Sequence, residues 1–145
     1  MGDLSKDINS KFANFKVKAL LNIIYTANWI SSRQSEAFKA YGISQQQYNV
    51  LRILRGANQP LKVQTIKDRM LERSPNATRL MDKLCAKHLI KRLPSEHDRR
   101  VVKIEITKQG LDLLDTIPSD LNKDLIENLS EAEAEQLSNL LDKMR

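Results

Sequence analysis

Apolar positions in the first part of the chain fall at helical spacing. Leu4, Ile8, Phe12, Phe15 and Ala19 repeat at intervals of three and four, and Leu20, Leu21, Ile24, Tyr25, Trp29 and Ile30 widen the stripe. The pattern predicts a long opening helix with more apolar surface than one small domain covers; packing against a second subunit is one solution. In "ISQQQYNVLRIL", Ser44 and Gln47 have the spacing of a capping box. Tyr48, Leu51 and Leu54, or Val50 and Ile53, then face inward. "GANQP", Gly56 to Pro60, reads as a turn. Val63, Ile66 and Met70 mark a short third helix. Another helix is expected from Ser74 as N-cap, with Pro75 at its first position. Ala77, Leu80, Met81 and Leu84 form its inner side; Asn76, Arg79, Asp82 and Lys83 lie outward.

The period then changes to two. In "PSEHDRRVVKIEIT", Val102, Ile104 and Ile106 fall on one side and Lys103 and Glu105 on the other, as in a half-buried strand. Ile90 to Leu93 is its partner, and the loop from Pro94 to Arg100 joins them into a long-tipped hairpin. Thr107 can cap a following helix with Leu111, Leu114, Ile117, Leu121 and Leu125 as its stripe, which Pro118 should kink or interrupt. Ser130 and Glu133 form a second capping box, opening a final helix with Leu137, Leu140, Leu141 and Met144 on one face. The fold class is mainly α with a small β-wing (α+β). A short helix and turn leading into a capped helix is a helix-turn-helix, and the hairpin makes it a winged one.

Charge adds a direction to this outline. Lys62 to Lys103 carries 12 Lys/Arg against 5 Asp/Glu, a net of +7, whereas Asp112 to Arg145 carries 9 acids against 3 bases, a net of −6. A basic middle and an acidic end suggest one face for a polyanion and another for something else, although a charged surface is also often merely solvated. At 145 residues the chain is one ordinary domain with room for a core. The N-terminus "MGDLSKDINSK" has no apolar signal region, and Lys18, Asn22 and Asn28 break the most apolar run, so no membrane span is expected. One cysteine, Cys85, excludes an intramolecular disulfide and fits the reducing cytoplasm.

The outward face of the Ser74 helix has the chemistry of a DNA reader. Asn76 can contact adenine and Arg79 guanine, Ser74 and Thr78 can bond phosphate or base, and Lys83 extends the basic face. The bland alternative is an ordinary surface helix whose Arg79 pairs with Asp82 or Glu72. Arg99 and Arg100 at the hairpin tip can reach a minor groove. Asp98 suits that place only if it acts within the protein, either by pairing with Arg100 to aim its guanidinium or by holding the loop turn. Lys91 and Arg92 are further candidates for phosphate contact. No phosphate loop, metal pair or nucleophile with a readable base appears, so no enzyme and no cofactor is expected.

The segments "ISQQQYNVLRIL", "SPNATRLMDKLCAKHLIKRLPSEHDRRVVKIEITKQG" and "LSEAEAEQLSNLL" resemble the MarR (multiple-antibiotic-resistance regulator) family of bacterial winged-helix repressors, from about Ile43 to Met144. The most specific part is the wing, where Asp98 and Arg100 match an Asp-x-Arg pattern and Thr107 and Gly110 match "T-x-x-G". The resemblance implies one domain over 1–145. Residues 1–34 and 112–145 would be dimerisation helices, and 43–110 a winged helix-turn-helix DNA-binding lobe. It further implies a homodimer on a palindromic site in double-stranded DNA. Arg100 would enter the minor groove with Asp98 orienting it and Arg99 contacting phosphate nearby. The helix from Ser74 to about His88 would be the recognition helix. His88 departs from the family, where Gly often closes that helix in the left-handed conformation; a slightly different helix end is expected.

Family members often take small aromatic effectors between the dimerisation helices and the lobe. Tyr25, Trp29 and Tyr41 could line such a cleft, though aromatics at this spacing also suit plain core. The N-terminal helix lacks the oxidant-sensing cysteine of some members, and Cys85 reads as a packed thiol. His88 and His97 lie on different elements, which argues against zinc. The resulting expectation is a sequence-specific DNA-binding transcriptional regulator, a dimeric repressor. The rival is a winged-helix protein-interaction module without specific DNA binding.

Overall fold

A computed structural model of the chain describes residues 2–73, 75–94, 96–98 and 100–145. Its elements, in order, are α1 (Leu4–Asp7), α2 (Phe15–Lys39), α3 (Gln45–Ala57), β1 (Leu61–Lys62), α4 (Val63–Arg69), α5 (Ala77–Ala86), β2 (Ile90–Pro94), β3 (Val102–Ile106), α6 (Lys108–Thr116), a 3-10 turn at Lys123–Leu125, and α7 (Glu131–Lys143). They divide into two compact units: Phe38–Leu121, and the residues up to Ala37 together with Asn122–Arg145.

Within the first unit, one core gathers the inner faces of α3, α4, α5 and α6 over the sheet. Phe38, Val50, Leu51, Leu54, Ile66, Met81, Leu84 and Ile104 are fully buried there. The Phe38 and Tyr48 rings meet at 4.6 Å, a favourable tilted pair. The capping box of α3 forms as expected: Gln47 N–H donates to Ser44 Oγ at 3.1 Å, and Ser44 N–H donates to Gln47 Oε1 at 3.0 Å. Both inward-facing options for α3 hold together. Val50, Leu51 and Leu54 are buried, and Tyr48 and Ile53 pack at the edge of the same core.

The sheet has three antiparallel strands in the order β1-β3-β2, one more than the hairpin the sequence predicts. Leu61 lies opposite Ile104, and Ile90 opposite Ile106. A two-residue strand shows no alternation, so β1 exists only because β3 offers it a free edge. Of the three alternating residues on β3, Ile104 is buried and Ile106 packs against the core, but Val102 is exposed.

The opening helix is not continuous. Asn9, at φ 46°, closes α1. Ser10 N–H bonds the Ser5 carbonyl at 3.0 Å, and Asn9 N–H bonds that of Lys6 at 3.3 Å. A new helix then starts with Asn14, whose side chain accepts from Val17 N–H at 3.0 Å. Apolar spacing passes through this stop and start because it does not register capping residues. Lys18 bonds Asp3, the N-cap of α1, at 3.1 Å and holds its carboxyl below the usual value. At the other end of the chain, Ser130 and Glu133 form the second capping box that their spacing predicts. α6 stops at Thr116 just ahead of Pro118, so Leu121 and Leu125 are not on that helix. Among the described residues no helix is long and apolar enough to cross a membrane.

Candidate nucleic-acid interface

α5 begins at Ala77, with Asn76 as the residue before it at φ −104°, ψ 33°. Pro75 is therefore two positions ahead of the helix and not its first residue. The expected cap, Ser74, and the expected phosphate contact, Arg99, lie outside the described residues. Burial along α5 follows the amphipathic pattern: Ala77, Leu80, Met81 and Leu84 face the core. Pro75, Asn76, Thr78, Arg79 and Lys83 are exposed. Neither carboxylate considered for Arg79 is paired with it among the described residues. Glu72 accepts from Gln46 Nε2 at 2.7 Å, and Asp82 accepts from Arg92 Nη2 at 2.5 Å. Among the described residues, Arg79 and Lys83 have no ion-pair partner.

The end of α5 is built with His88 in the left-handed conformation at φ 58°. His88 N–H donates to the Cys85 carbonyl at 2.9 Å and Leu89 N–H to that of Leu84 at 3.1 Å. This is a complete Schellman closure, so His88 takes the left-handed turn that Gly often supplies. Thr107 ties that end to α6. Its hydroxyl donates to the His88 carbonyl at 2.7 Å and accepts from Gly110 N–H at 3.1 Å. Thr107 N–H donates to the Leu89 carbonyl at 3.0 Å. At Gly110 a Cβ would press into the same Leu89 carbonyl and lie 2.7 Å from Ile106 Cγ1. The "T-x-x-G" spacing is therefore a docking device between the α5 end and the base of the wing.

On the wing, β2 and β3 pair from Ile90↔Ile106 to Pro94↔Val102. Lys91, a candidate phosphate contact, bonds Glu105 on the facing strand at 2.9 Å, and Arg92 bonds Asp82. Both cations are thus engaged within the protein. Asp98 does not pair with the Arg100 guanidinium. Its Oδ1 accepts from Arg100 backbone N–H at 2.9 Å, and its carbonyl accepts from Val101 N–H at 3.0 Å. Of the two roles open to Asp98, this is the holding of the chain bend, an Asx-type bond. It orients Arg100 through the backbone, and the Arg100 side chain is exposed.

A shallow cavity of about 450 Å³ beside the start of α5 is lined by Gln64, Lys67, Asp68, Arg73 and Pro75. Its two cations are not evident from the sequence, because the spacing of Val63, Ile66 and Met70 draws attention to the inner side of α4. Of the three aromatics expected to line an effector cleft, Tyr25 and Trp29 belong to one unit and Tyr41 to the other. Tyr25 and Trp29 line a cleft of about 360 Å³ with Leu4, Asn22 and Thr26, and the Arg33 guanidinium lies 5.9 Å from the Trp29 ring centre. Tyr41 packs against the core of the other unit. Cys85 is a half-buried free thiol against that core. Among the described residues, no three His, Cys, Asp or Glu side chains cluster as metal ligands.

Comparison with known proteins gives consistent matches. The model of the MarR family matches residues 43–102. The chain is 34% identical over 116 residues to the HTH-type transcriptional regulator MhqR of Bacillus subtilis (strain 168), covering 77% of this chain and 79% of that protein. It is 36% identical over 110 residues to the HTH-type transcriptional regulator PapX of Escherichia coli, covering 73% and 67%. Among solved structures, it is similar to the S. aureus MepR–DNA complex, with a TM-score of 0.76 and 26% identity over 92% of this chain and 97% of that one.

Proposed function

The chain belongs to the MarR family of transcriptional regulators, and from that premise we propose that it is a dimeric repressor that reads a palindromic operator in double-stranded DNA. DNA-binding transcriptional regulation is the activity of the family; the dimer, the palindrome, the sign of regulation and the contacting residues are what is proposed. The observation that carries the reading is the outer face of α5. It is exposed, and Arg79 and Lys83 have no ion-pair partner among the described residues. Cations left unpaired on one helix face are available to a polyanion in a way that paired ones are not.

In this reading Asn76, Thr78 and Arg79 address base edges, and Lys83 addresses phosphate. Lys67 and Arg73, at the cavity beside α5, supply phosphate contacts that set register. Arg100, held through its backbone by Asp98, enters the adjacent minor groove. Residues of the unit containing α7 and most of α2 form the dimer contact, which sets two α5 helices about 34–36 Å apart, one turn of DNA. Release by a small aromatic ligand at the Tyr25–Trp29 cleft completes the proposal. Trp29 is the sole tryptophan, so its fluorescence reports such binding directly.

Selection of random genomic fragments, followed by footprinting of the winner, tests the central claim. An inverted repeat protected in two half-sites is expected. Equal, weak and strongly salt-dependent affinity for every duplex would instead favour the interaction module as the protein's role.

A further inference from the structure

Asp82 is the one acidic residue of α5 and lies on its outer face, one turn beyond Arg79 and next to Lys83. A carboxylate there is awkward for a helix that meets a polyanion. Arg92, from β2, reaches it: Nη2 to Oδ1 is 2.5 Å. We propose that Arg92 is a positioning residue that masks Asp82, so that the outer face of α5 presents its cations to DNA unopposed. The proposal rests on the reading of α5 as the DNA-facing helix.

Three observations support it. The pair is well exposed, 40% for the Arg92 side chain and 57% for Asp82. A pair so exposed contributes little to folding, and stability alone is a poor reason for it. Asp82 and Arg79 are also three residues apart on one helix, the spacing at which side chains pair. An unclaimed Asp82 would turn to Arg79 and consume the guanidinium that reads a base. Finally, the bond joins two separate DNA-facing elements, α5 and the wing, without using any group from the core. The hydrogen bond to Asp82 raises the Arg92 guanidinium above its ordinary value.

A double-mutant cycle on the full-length protein tests this, with the duplex recovered by selection and a random-sequence duplex of equal length as probes. R92A should weaken binding to the selected duplex about tenfold, the scale of one groove contact. In the D82N background the same R92A change should cost about twofold or less, because the group it masks is gone. The R92A penalty should also shrink as salt rises, since repulsion of phosphate by an exposed carboxylate is screened. Preference for the selected over the random duplex should fall in R92A and return in the double variant.

Equal R92A penalties in both backgrounds would overturn the proposal in favour of a direct phosphate contact. A lowered melting temperature with unchanged affinity would reduce the pair to a structural one and overturn it too. Failure of the unaltered protein to prefer the selected duplex would sink the underlying DNA reading, and that arm is scored separately.

Discussion

His88 holds a left-handed backbone at φ 58° with an ordinary side chain, and Gly110 occupies a place where no side chain fits. The two positions ask for the same residue for different reasons. At His88 the demand is conformational, a penalty of roughly 1–2 kcal/mol for an L side chain. At Gly110 it is steric, since the Leu89 carbonyl that a Cβ would strike already accepts from Thr107 and has little room to move. H88G should therefore stabilise the protein, by up to about 1 kcal/mol after the greater freedom of unfolded Gly is subtracted. G110A should destabilise it by about 1–3 kcal/mol or more. Urea midpoints at unchanged slope read both changes. A lower midpoint for H88G would mean that the His side chain makes a contact worth more than the backbone strain.

At the scale of elements, the wing separates what spacing can and cannot tell. Alternation makes β3 legible, and the Asp-x-Arg spacing marks its tip. Spacing does not tell that Asp98 acts on the backbone N–H of Arg100 and leaves the guanidinium to reach outward. R100A should weaken binding to the selected duplex by about 1–3 kcal/mol without altering the melting temperature, because the side chain supports nothing in the lobe. D98A should give a similar loss of affinity through a looser tip. Retention of full affinity by R100A in a gel-shift titration would remove the wing from the interface. Elsewhere the elements are legible where capping residues sit close in sequence, as at Ser44–Gln47 and Ser130–Glu133. They are not where a stop hides inside an apolar period, as at Asn9, or where a strand is too short to have a period, as at Leu61–Lys62.

For the whole molecule, the question is what covers the apolar surface outside the winged lobe. Leu20, Ile24, Leu140 and Met144 are each more than half exposed. An apolar groove of about 860 Å³ runs between α2 and α7, lined by Ile23, Ile30, Leu137, Leu140, Leu141 and Met144 among others. A monomer seldom leaves so large an apolar patch in water. The proposed dimer predicts that L140E combined with M144E sediments as a folded monomer. Loss of the second half-site contact should then cost operator affinity by about 100-fold or more. A persistent dimer in that variant at micromolar concentration, judged by analytical ultracentrifugation, would place the subunit contact elsewhere. The charge split belongs to this scale as well: the basic segment Lys62 to Lys103 lies wholly within the Phe38–Leu121 unit, and most of the acidic segment lies in the other.

By itself the sequence determined the helical periods, both capping boxes, the alternation of the wing and the family to which they belong. All of these are short-range signals, carried by residues a few positions apart whose geometry the backbone sets. Tertiary structure alone decided which charges are spent and which are free. Lys91 and Arg92 look available in the sequence and are paired with Glu105 and Asp82, while Arg79 has no ion-pair partner among the described residues. It alone decided that β1 joins the sheet and that Gly110 must lie against Leu89. Those outcomes depend on distances of a few ångströms between residues 10 to 43 positions apart, and packing sets such distances.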